Sequence, residues 1–160
     1  MATVEVERKW LIDGVDSLPA EVLAAPAAEV EQGYLTIGAD GSETRVRRKD
    51  GRCTLTVKSG RGLVRNEAEV SITAEQFELL WPATEQARVA KRRRVVPGTG
   101  GVRIEIDVYS GRLDGLVVAE VEFDDPWGAE SFVPPYWFGL EVTADDAYKN
   151  RCLALHGRPT

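Results

Sequence analysis

The sequence predicts an α+β protein that is built on eight antiparallel β-strands with helices around them. Two observations indicate this class. Glycine- and proline-containing turns recur at short intervals along the 160 residues, and most of the runs between them alternate polar with apolar residues. With 43% hydrophobic and 29% charged residues, the chain has the composition of one globular domain, which we expect to span residues 1–160.

The strands follow from the period-two alternation and from the turns that interrupt it. Asp50-Gly51 is typical of a tight hairpin turn between two of them. We expect strands at approximately residues 3–12, 31–37, 43–50, 52–59, 63–72, 87–96, 101–109 and 116–124.

Three helices are expected between and after the strands. Residues 18–24 form a short one, and residues 74–84 a longer one with Thr73 as its N-cap. The last helix is expected at 144–156, after Thr143 as a cap, with Gly157 ending it. The segment 125–139 contains three prolines and is expected to be irregular.

The polar faces of these strands are unusually charged. Residues two apart in a strand share a face. The polar residues that share a face, nearly all of them charged, are Glu5, Glu7 and Lys9; Arg45, Arg47 and Lys49; Thr54, Thr56 and Lys58; Arg65, Glu67 and Glu69; Lys91 and Arg93; Arg103, Glu105 and Asp107; and Glu120 and Glu122. A water-facing sheet surface would explain any one strand. Alternatively, the strands close into a barrel with the charges inward, where a polyanion and divalent cations would balance them.

The segment Glu5-Val6-Glu7-Arg8-Lys9 resembles the ExExK signature of the CYTH domain, the triphosphate tunnel metalloenzyme family. Further segments resemble the family's other elements in the same order: Gln32-Gly33-Tyr34-Leu35, Arg45-Val46-Arg47, Leu55-Thr56-Val57-Lys58, Arg65-Asn66-Glu67-Ala68-Glu69, Lys91-Arg92-Arg93, Glu105-Ile106-Asp107-Val108, Ala119-Glu120-Val121-Glu122, Glu141-Val142-Thr143 and Tyr148-Lys149-Asn150. The resemblance covers nearly the whole chain.

This resemblance implies an eight-stranded antiparallel β-barrel tunnel with peripheral helices and a C-terminal helix. It also implies dependence on Mg²⁺ or Mn²⁺ and a triphosphate-containing substrate. The chain is most similar to short bacterial members, which tend to hydrolyse inorganic tripolyphosphate to pyrophosphate and phosphate. Two alternatives stay open: an adenylate cyclase or hydrolase of an organic triphosphate such as thiamine triphosphate, and a non-catalytic module that binds polyphosphate or nucleotides.

Under this interpretation, basic side chains bind the phosphate groups and acidic side chains bind the metal. The expected substrate-binding residues are Lys9, Arg45, Arg47, Lys58, Arg65, Lys91, Arg93 and Lys149. The expected metal ligands are Glu5, Glu7, Glu120 and Glu122, with Glu67, Glu69, Glu105 and Asp107 completing the site, holding a second ion or pairing with bases. Glu120, Glu122 and Lys9 are the expected catalytic residues, and Glu120 or Glu122 is the expected general base for an attacking water.

Several side chains have two interpretations. Lys149 either closes the tunnel or is a solvated helix residue, and Tyr34 either lines the lumen or only fills a packing gap. In the run from Lys91 to Arg94, a register slip of one residue would turn Arg92 and Arg94 inward. We expect Lys91 and Arg93 inside, and Arg92 and Arg94 on the outer face.

Other function classes are disfavoured. The two cysteines have no metal-ligand spacing, and the sequence has neither a GxxxxGK[ST] phosphate loop nor a GxSxG motif. The net charge of -6 argues against a nucleic-acid partner. The first ten residues carry charge where a secretion signal would be apolar, so we expect a cytoplasmic protein with no membrane partner. The apolar strand faces leave a homodimer open.

Overall fold

The structure is a computed structural model that describes residues 3–4, 6–59 and 64–160, with side chains for 6–59 and 66–160. Its strands are β1 (Thr3–Val4), β2 (Val6–Ile12), β3 (Ala27–Ile37), β4 (Glu43–Lys49), β5 (Arg52–Ser59), β6 (Val64–Ile72), β7 (Arg88–Pro97), β8 (Arg103–Ser110) and β9 (Val117–Phe123). The expected strand at 3–12 corresponds to β1 and β2 together.

The strands form one antiparallel sheet in the order β1-β6-β5-β4-β3-β7-β8-β9-β2. β1 and β2 lie at the two ends of this order, although they follow one another in the sequence. β1 joins β6 through the pairs of Thr3 with Arg65 and Val4 with Val64, and β2 runs along β9 from Val6 to Ile12. The sheet therefore curls into a barrel, joined on the β1 side by a narrow seam, and the predicted antiparallel fold is confirmed.

Most strand boundaries agree with the sequence pattern, with one clear exception. β3 begins at Ala27 rather than at residue 31, because residues 27–30 pair with β7 although they carry little of the charged alternation. The turn at Asp50 and Gly51 has positive φ at both residues, 47° and 81°, as a two-residue hairpin turn requires.

The described residues include four α-helices around the barrel: α1 (Ala20–Ala24), α2 (Ala74–Leu80), α3 (Pro126–Ser131) and α4 (Asn150–His156). α2 begins with a capping box in which the Thr73 hydroxyl accepts from the Gln76 amide, so this predicted cap is confirmed. A 3₁₀ turn, Trp81–Thr84, continues it to the predicted end.

The C-terminal half differs from the prediction in two places. α3 lies in the segment expected to be irregular, where the Asp125 side chain caps it and Pro126 occupies its first turn. α4 starts at Asn150 instead of residue 144, after a separate 3₁₀ turn, Asp146–Tyr148. Thr143 is therefore not its cap. The Thr143 hydroxyl instead accepts from the Lys9 amide at 3.0 Å, because residues 139–143 run alongside β2.

This return segment lies against the backbone of β2. The amides of Gly139 and Val142 donate to the carbonyls of Leu11 and Lys9, both at 2.8 Å, and the Leu11 amide donates to Leu140. A Cβ at Gly139 would lie 2.7 Å from the Leu11 carbonyl oxygen, so only glycine permits this approach. The Arg8 guanidinium adds a bidentate pair to Glu141, at 2.8 and 2.7 Å.

The outward faces of the strands form much of the core, beneath the helices. Trp10, Ile104 and Val121 are buried together with residues of α1 and α3. α2 inserts Phe77 over Val46 on the outer face of β4. At one end of the barrel the inward faces are apolar as well, and α4 buries Leu153 and Ala154 against them. The helices therefore cover outer faces and close one end of the barrel, and the remaining interior is polar.

We predict that Phe77→Ala destabilises the fold by about 3–5 kcal/mol, since it removes a fully buried ring and leaves a cavity. Urea unfolding followed by circular dichroism measures the change. Leu79→Ala on the same helix, where the side chain is 81% exposed, is the matched control and should change stability little. Equal effects of the two substitutions would contradict the packing of α2.

Candidate active site

The barrel holds a cavity of about 320 Å³ whose lining is mostly polar. It is lined by Glu7, Lys9, Val30, Gln32, Tyr34, Glu43, Arg45, Arg47, Lys49, Lys58, Glu67, Glu69, Lys91, Arg93, Glu120, Glu122, Lys149, Asn150 and Arg151. Nine of these described side chains are basic and six are acidic. A chain of net charge -6 thus surrounds its cavity with an excess of positive charge.

Three acids lie together on the wall that β2 and β9 form. Glu7 is directly opposite Glu122 in the strand register, and Lys9 is opposite Glu120. Carboxylate oxygens of Glu7, Glu120 and Glu122 lie within 4.8 Å of one another. Clustered carboxylate oxygens are the donors that hard divalent cations such as Mg²⁺ and Mn²⁺ prefer, so these residues fit a metal of that class.

Lys9 connects this acidic cluster to the C-terminal region. Its Nζ lies 3.2 Å from Glu120 Oε2 and donates to the Tyr148 carbonyl at 3.3 Å. Burial opposes ionisation of Glu120, but the nearby charges of Lys9, Lys91 and Arg93 outweigh it and lower the pKa of Glu120. Glu120 is therefore held as a carboxylate.

The neighbouring wall contains a buried network around Asp107. Lys91 Nζ donates to Asp107 Oδ2 at 2.6 Å, and the Arg93 guanidinium makes two bonds of 2.7 Å to the same carboxylate. Arg93 also pairs with Glu105. The side chains of Lys91 and Asp107 are each only 3% exposed.

The charges in this network depend on one another. Burial opposes the charge of Asp107, but Lys91 and Arg93 outweigh it and hold the pKa of Asp107 well below its ordinary value. The bonds to Asp107 likewise overcome burial and raise the pKa of Arg93. Burial lowers the pKa of Lys91, and the like charge of Arg93 acts in the same direction, so the attraction of Asp107 does not fully offset them.

The opposite wall, on β4, β5 and β6, repeats the pairing of bases with acids. Lys58 Nζ lies 3.0 Å from Glu67 Oε2, and Arg47 lies 3.6 Å from Glu69. Burial and the charge of Arg45 lower the pKa of Arg47. Arg45 itself lies 3.6 Å from Glu43, and its buried Nε has no hydrogen-bond partner within the described part of the chain.

Two tyrosines lie in the interior, near α4. The Tyr34 hydroxyl accepts from Gln32 at 2.8 Å, and burial raises the pKa of Tyr34 to about 12. Tyr34 thus lines the cavity and also packs against α4. The Tyr109 hydroxyl donates to Asn150 Oδ1 at 2.6 Å.

The residues that precede and begin α4 cover one part of the cavity. Lys149 lines it, although it is 46% exposed and pairs with Asp146 at 2.6 Å. Asn150 and Arg151 also line it, and the sequence analysis did not select either. Glu43 was not selected either, although it lies on the same strand face as Arg45 and Arg47, so the alternation contained the signal.

The inward register of β7 agrees with the expectation. Lys91 and Arg93 line the cavity, whereas Arg92 is outside and pairs with Glu29 at 2.5 Å. Arg94 is not among the lining residues. Glu5 and the side chain of Arg65 lie outside the described residues, so their expected roles stay predictions. None of the helices that the structure describes is long and apolar enough to cross a membrane.

Comparison with known proteins places this geometry in a family. No protein-family model matches the chain. An inorganic triphosphatase of Nitrosomonas europaea is 44% identical over 151 residues, which are 94% of this chain and 97% of that protein. An inorganic triphosphatase of Acetivibrio thermocellus is 34% identical, over 93% of this chain and 92% of that protein.

A solved structure shows the same similarity in three dimensions. The crystal structure of an inorganic triphosphatase superposes with a TM-score of 0.74 at 42% identity, covering 94% of each chain. Both the sequence and the backbone agree with this relative along nearly the whole length. The chain belongs to the family of the inorganic triphosphatases, with the CYTH-type triphosphate tunnel fold.

Proposed function

We propose that this protein hydrolyses inorganic triphosphate to pyrophosphate and phosphate inside the barrel. The observation that carries the proposal is the excess of basic over acidic side chains in the cavity, with three acids clustered on one wall. A compact polyanion accompanied by a divalent cation would balance both groups. The described lining offers little apolar surface for an organic group, since Val30 and Tyr34 are its main non-ionic bulky side chains.

In this proposal the basic walls position the phosphate chain. Arg45, Arg47 and Lys58 face Lys9, Lys91 and Arg93 across the cavity, so phosphate oxygens would be bound from several sides. Arg65 is proposed to join them. Phosphoryl transfer depends mostly on such positioning and on charge stabilisation, because the protein contributes little covalent chemistry.

Family membership implies a divalent metal, and we assign Mg²⁺ or Mn²⁺ to Glu7, Glu120 and Glu122, with Glu5 as a further proposed ligand. When bound, the metal would neutralise part of the triphosphate charge and polarise its phosphoryl oxygens. Asp107 and Glu105 take a different role in this proposal. Since their carboxylates already pair with Lys91 and Arg93, they would hold those cations in place.

Glu120 and Glu122 are the two candidate proton acceptors. Glu120 is paired with Lys9 and its pKa is lowered, which weakens it as a base. A water that donates its proton to Glu120 or Glu122 would form a bond to a terminal phosphorus while the anhydride bond on the other side breaks. The leaving group is pyrophosphate, and Lys9 and Arg93 would stabilise its developing charge.

A substrate panel tests the proposal directly. Tripolyphosphate, ATP, thiamine triphosphate and pyrophosphate are each incubated with the protein in Mg²⁺ and in Mn²⁺, and released phosphate and cyclic AMP are measured. Tripolyphosphate should have the highest kcat/KM, because the described lining offers little apolar surface for an organic substituent. Absence of tripolyphosphate turnover in both metals would refute the proposed function.

We predict that Glu120→Gln and Glu122→Gln each lower kcat/KM for tripolyphosphate by about 100-fold or more. Mutation of residues that only hydrogen-bond to metal ligands commonly lowers activity by about 10–100-fold, and we expect loss of a ligand to have a larger effect. Each variant should also need a higher metal concentration for half-maximal activity. Glu130→Gln, at an exposed position on α3, is the control and should behave like the wild type. Full activity of both site variants would overturn the metal assignment.

The Asp107 network makes a prediction about acid stability. The pKa of Asp107 in the folded protein lies below its ordinary value of 3.8, so the unfolded chain binds a proton that the folded chain does not as pH falls through about 4. The contribution of Asp107 is therefore complete above that pH and is lost as pH falls towards its folded pKa.

Asp107→Asn should remove this contribution. We expect a loss of about 3–5 kcal/mol at about pH 7, because two buried cations lose their shared carboxylate, and a shallower decline between about pH 5 and about pH 3. Urea unfolding without divalent metal measures both. Asp114→Asn, at an exposed turn, should preserve the wild-type stability and slope. An unchanged acid slope in Asp107→Asn would contradict the network.

A further inference from the structure

The strand β2 carries two residues of the candidate active site and lies at one end of the sheet order. Among the strands that the structure describes, only β9 pairs with β2. The return segment, residues 139–143, occupies the other edge through its bonds to the backbone of Lys9 and Leu11. The position of the β2 backbone therefore depends on contacts from outside the barrel strands.

Arg8 is the side chain of β2 that makes most of these outer contacts. Its Nε and Nη2 donate to the two carboxylate oxygens of Glu141, at 2.8 and 2.7 Å. Its Nη1 donates to the carbonyls of Ala129 at 2.7 Å and Phe132 at 3.3 Å. The guanidinium carbon lies 4.7 Å from the centre of the Trp10 ring. One side chain thus joins β2, the end of α3 and the return segment.

A second path leads from Glu141 back to β2. The Thr143 hydroxyl donates to Glu141 Oε1 at 2.8 Å and accepts from the Lys9 amide at 3.0 Å. The bond from Arg8 lowers the pKa of Glu141 despite partial burial, and the Thr143 hydroxyl acts in the same direction, so Glu141 accepts from both as a carboxylate. The path starts at the side chain of Arg8 and ends at the backbone of the next residue.

These contacts exceed those of an ordinary surface ion pair. Exposed pairs usually contribute little, because water and salt compete for both charges. The Arg8 side chain is only 21% exposed, and its pair with Glu141 is bidentate, which fixes the relative orientation of the two groups. Its other donors bind carbonyls at the end of α3, where a helix has no internal partners for them. Arg8 therefore holds β2 in one orientation.

The two sequence neighbours of Arg8 point to the opposite face, into the cavity. Glu7 belongs to the acidic cluster, and Lys9 Nζ lies 3.2 Å from Glu120. Successive residues of a strand are about 3.3 Å apart, so a shift of the backbone at Arg8 moves both neighbours. A misplacement of about 1 Å can lower a reaction rate by about 100-fold. The outer contacts of Arg8 can thus affect the chemistry inside.

We propose that Arg8, Glu141 and Thr143 form a clamp on the outside of the barrel that positions Glu7 and Lys9 for the reaction. The three are positioning residues, because none is among the lining residues of the cavity and each acts through the β2 backbone. This inference rests on the proposed function, since Glu7 and Lys9 belong to the site proposed there. It predicts that breaking the clamp impairs a protein that is still folded.

The first test is Arg8→Ala in the full chain. Tripolyphosphate hydrolysis is measured in whichever of Mg²⁺ and Mn²⁺ gives the wild type more activity, at a temperature where circular dichroism shows the variant fully folded. We expect kcat/KM to fall by about 10–100-fold and the metal concentration for half-maximal activity to rise by about tenfold. Loss of stability alone would change neither quantity in the folded protein.

Arg88→Ala is the matched control. Arg88 Nε donates to the Thr84 hydroxyl at 3.0 Å, its Nη2 donates to the Trp81 carbonyl at 2.6 Å, and its guanidinium carbon lies 4.2 Å from the centre of the Trp81 ring. Neither sequence neighbour of Arg88 lines the cavity. This variant should be less stable than the wild type and keep its kcat/KM and metal requirement. A change as large as that in Arg8→Ala would overturn the clamp.

Thr143 tests the second path, and it decides the question if Arg8→Ala does not fold. Thr143→Val removes the hydroxyl but keeps the branched shape, and it should lower kcat/KM by roughly fivefold, as expected for loss of one hydrogen bond. Thr143→Ser keeps the hydroxyl and should have the wild-type kcat/KM. Equal losses in the two variants would show that the bond to Lys9 is not the cause, and would refute the clamp.

The two proposals fail in different ways. A folded wild type that does not hydrolyse tripolyphosphate in either metal refutes the proposed function, and the clamp with it. The clamp alone is refuted if the wild type hydrolyses tripolyphosphate and the folded Arg8→Ala and Thr143→Val variants keep its kcat/KM and its metal requirement.

Discussion

Lys91 and Arg93 are buried in the wall of a barrel, and both can stay charged there because the Asp107 carboxylate lies between them. The whole interior obeys this constraint. Lys9 with Glu120, Lys58 with Glu67 and Arg47 with Glu69 are further pairs between strands. Each acid permits a base to be buried, and the bases that remain in excess leave the cavity attractive to an anion.

The barrel strands and the segments outside them have different structural roles. The strands supply the charged side chains through their alternation. α1, α2 and α3 cover outer apolar faces, whereas α4 packs on inward-facing apolar residues at one end of the barrel and its first residues line the cavity. Lys9 belongs to both systems. Its backbone is bonded to residues 142 and 143, and its side chain joins the acidic cluster to Tyr148. A side chain central to the proposed chemistry is thus oriented by chain remote in sequence.

The sequence predicted the strands and most of the cavity because period-two alternation carries both kinds of information at once. Strand parity grouped Glu7 with Lys9 and Glu120 with Glu122, whereas their inward direction and the register of β7 followed from the family resemblance. Asn150 and Arg151 could not be found in this way. Their position depends on where α4 begins. Thr143 was expected to cap this helix, but its hydroxyl accepts a hydrogen bond from the Lys9 amide instead. α3 was not predicted because the prolines of residues 125–139 indicated irregular structure, although Pro126 is the first residue of this helix.

The return segment has a consequence for the order of folding. Residues 139–143 supply hydrogen-bond partners to the backbone of residues 9–11, a separation of about 130 positions, so this part of the fold is dominated by contacts of very high sequence separation. Lys9 is synthesised early, but its backbone can bond to residues 142 and 143 only after nearly all of the described chain has been synthesised. We therefore expect the cavity to be completed late in folding, and a nascent chain that stops before residue 139 would leave β2 without these hydrogen bonds.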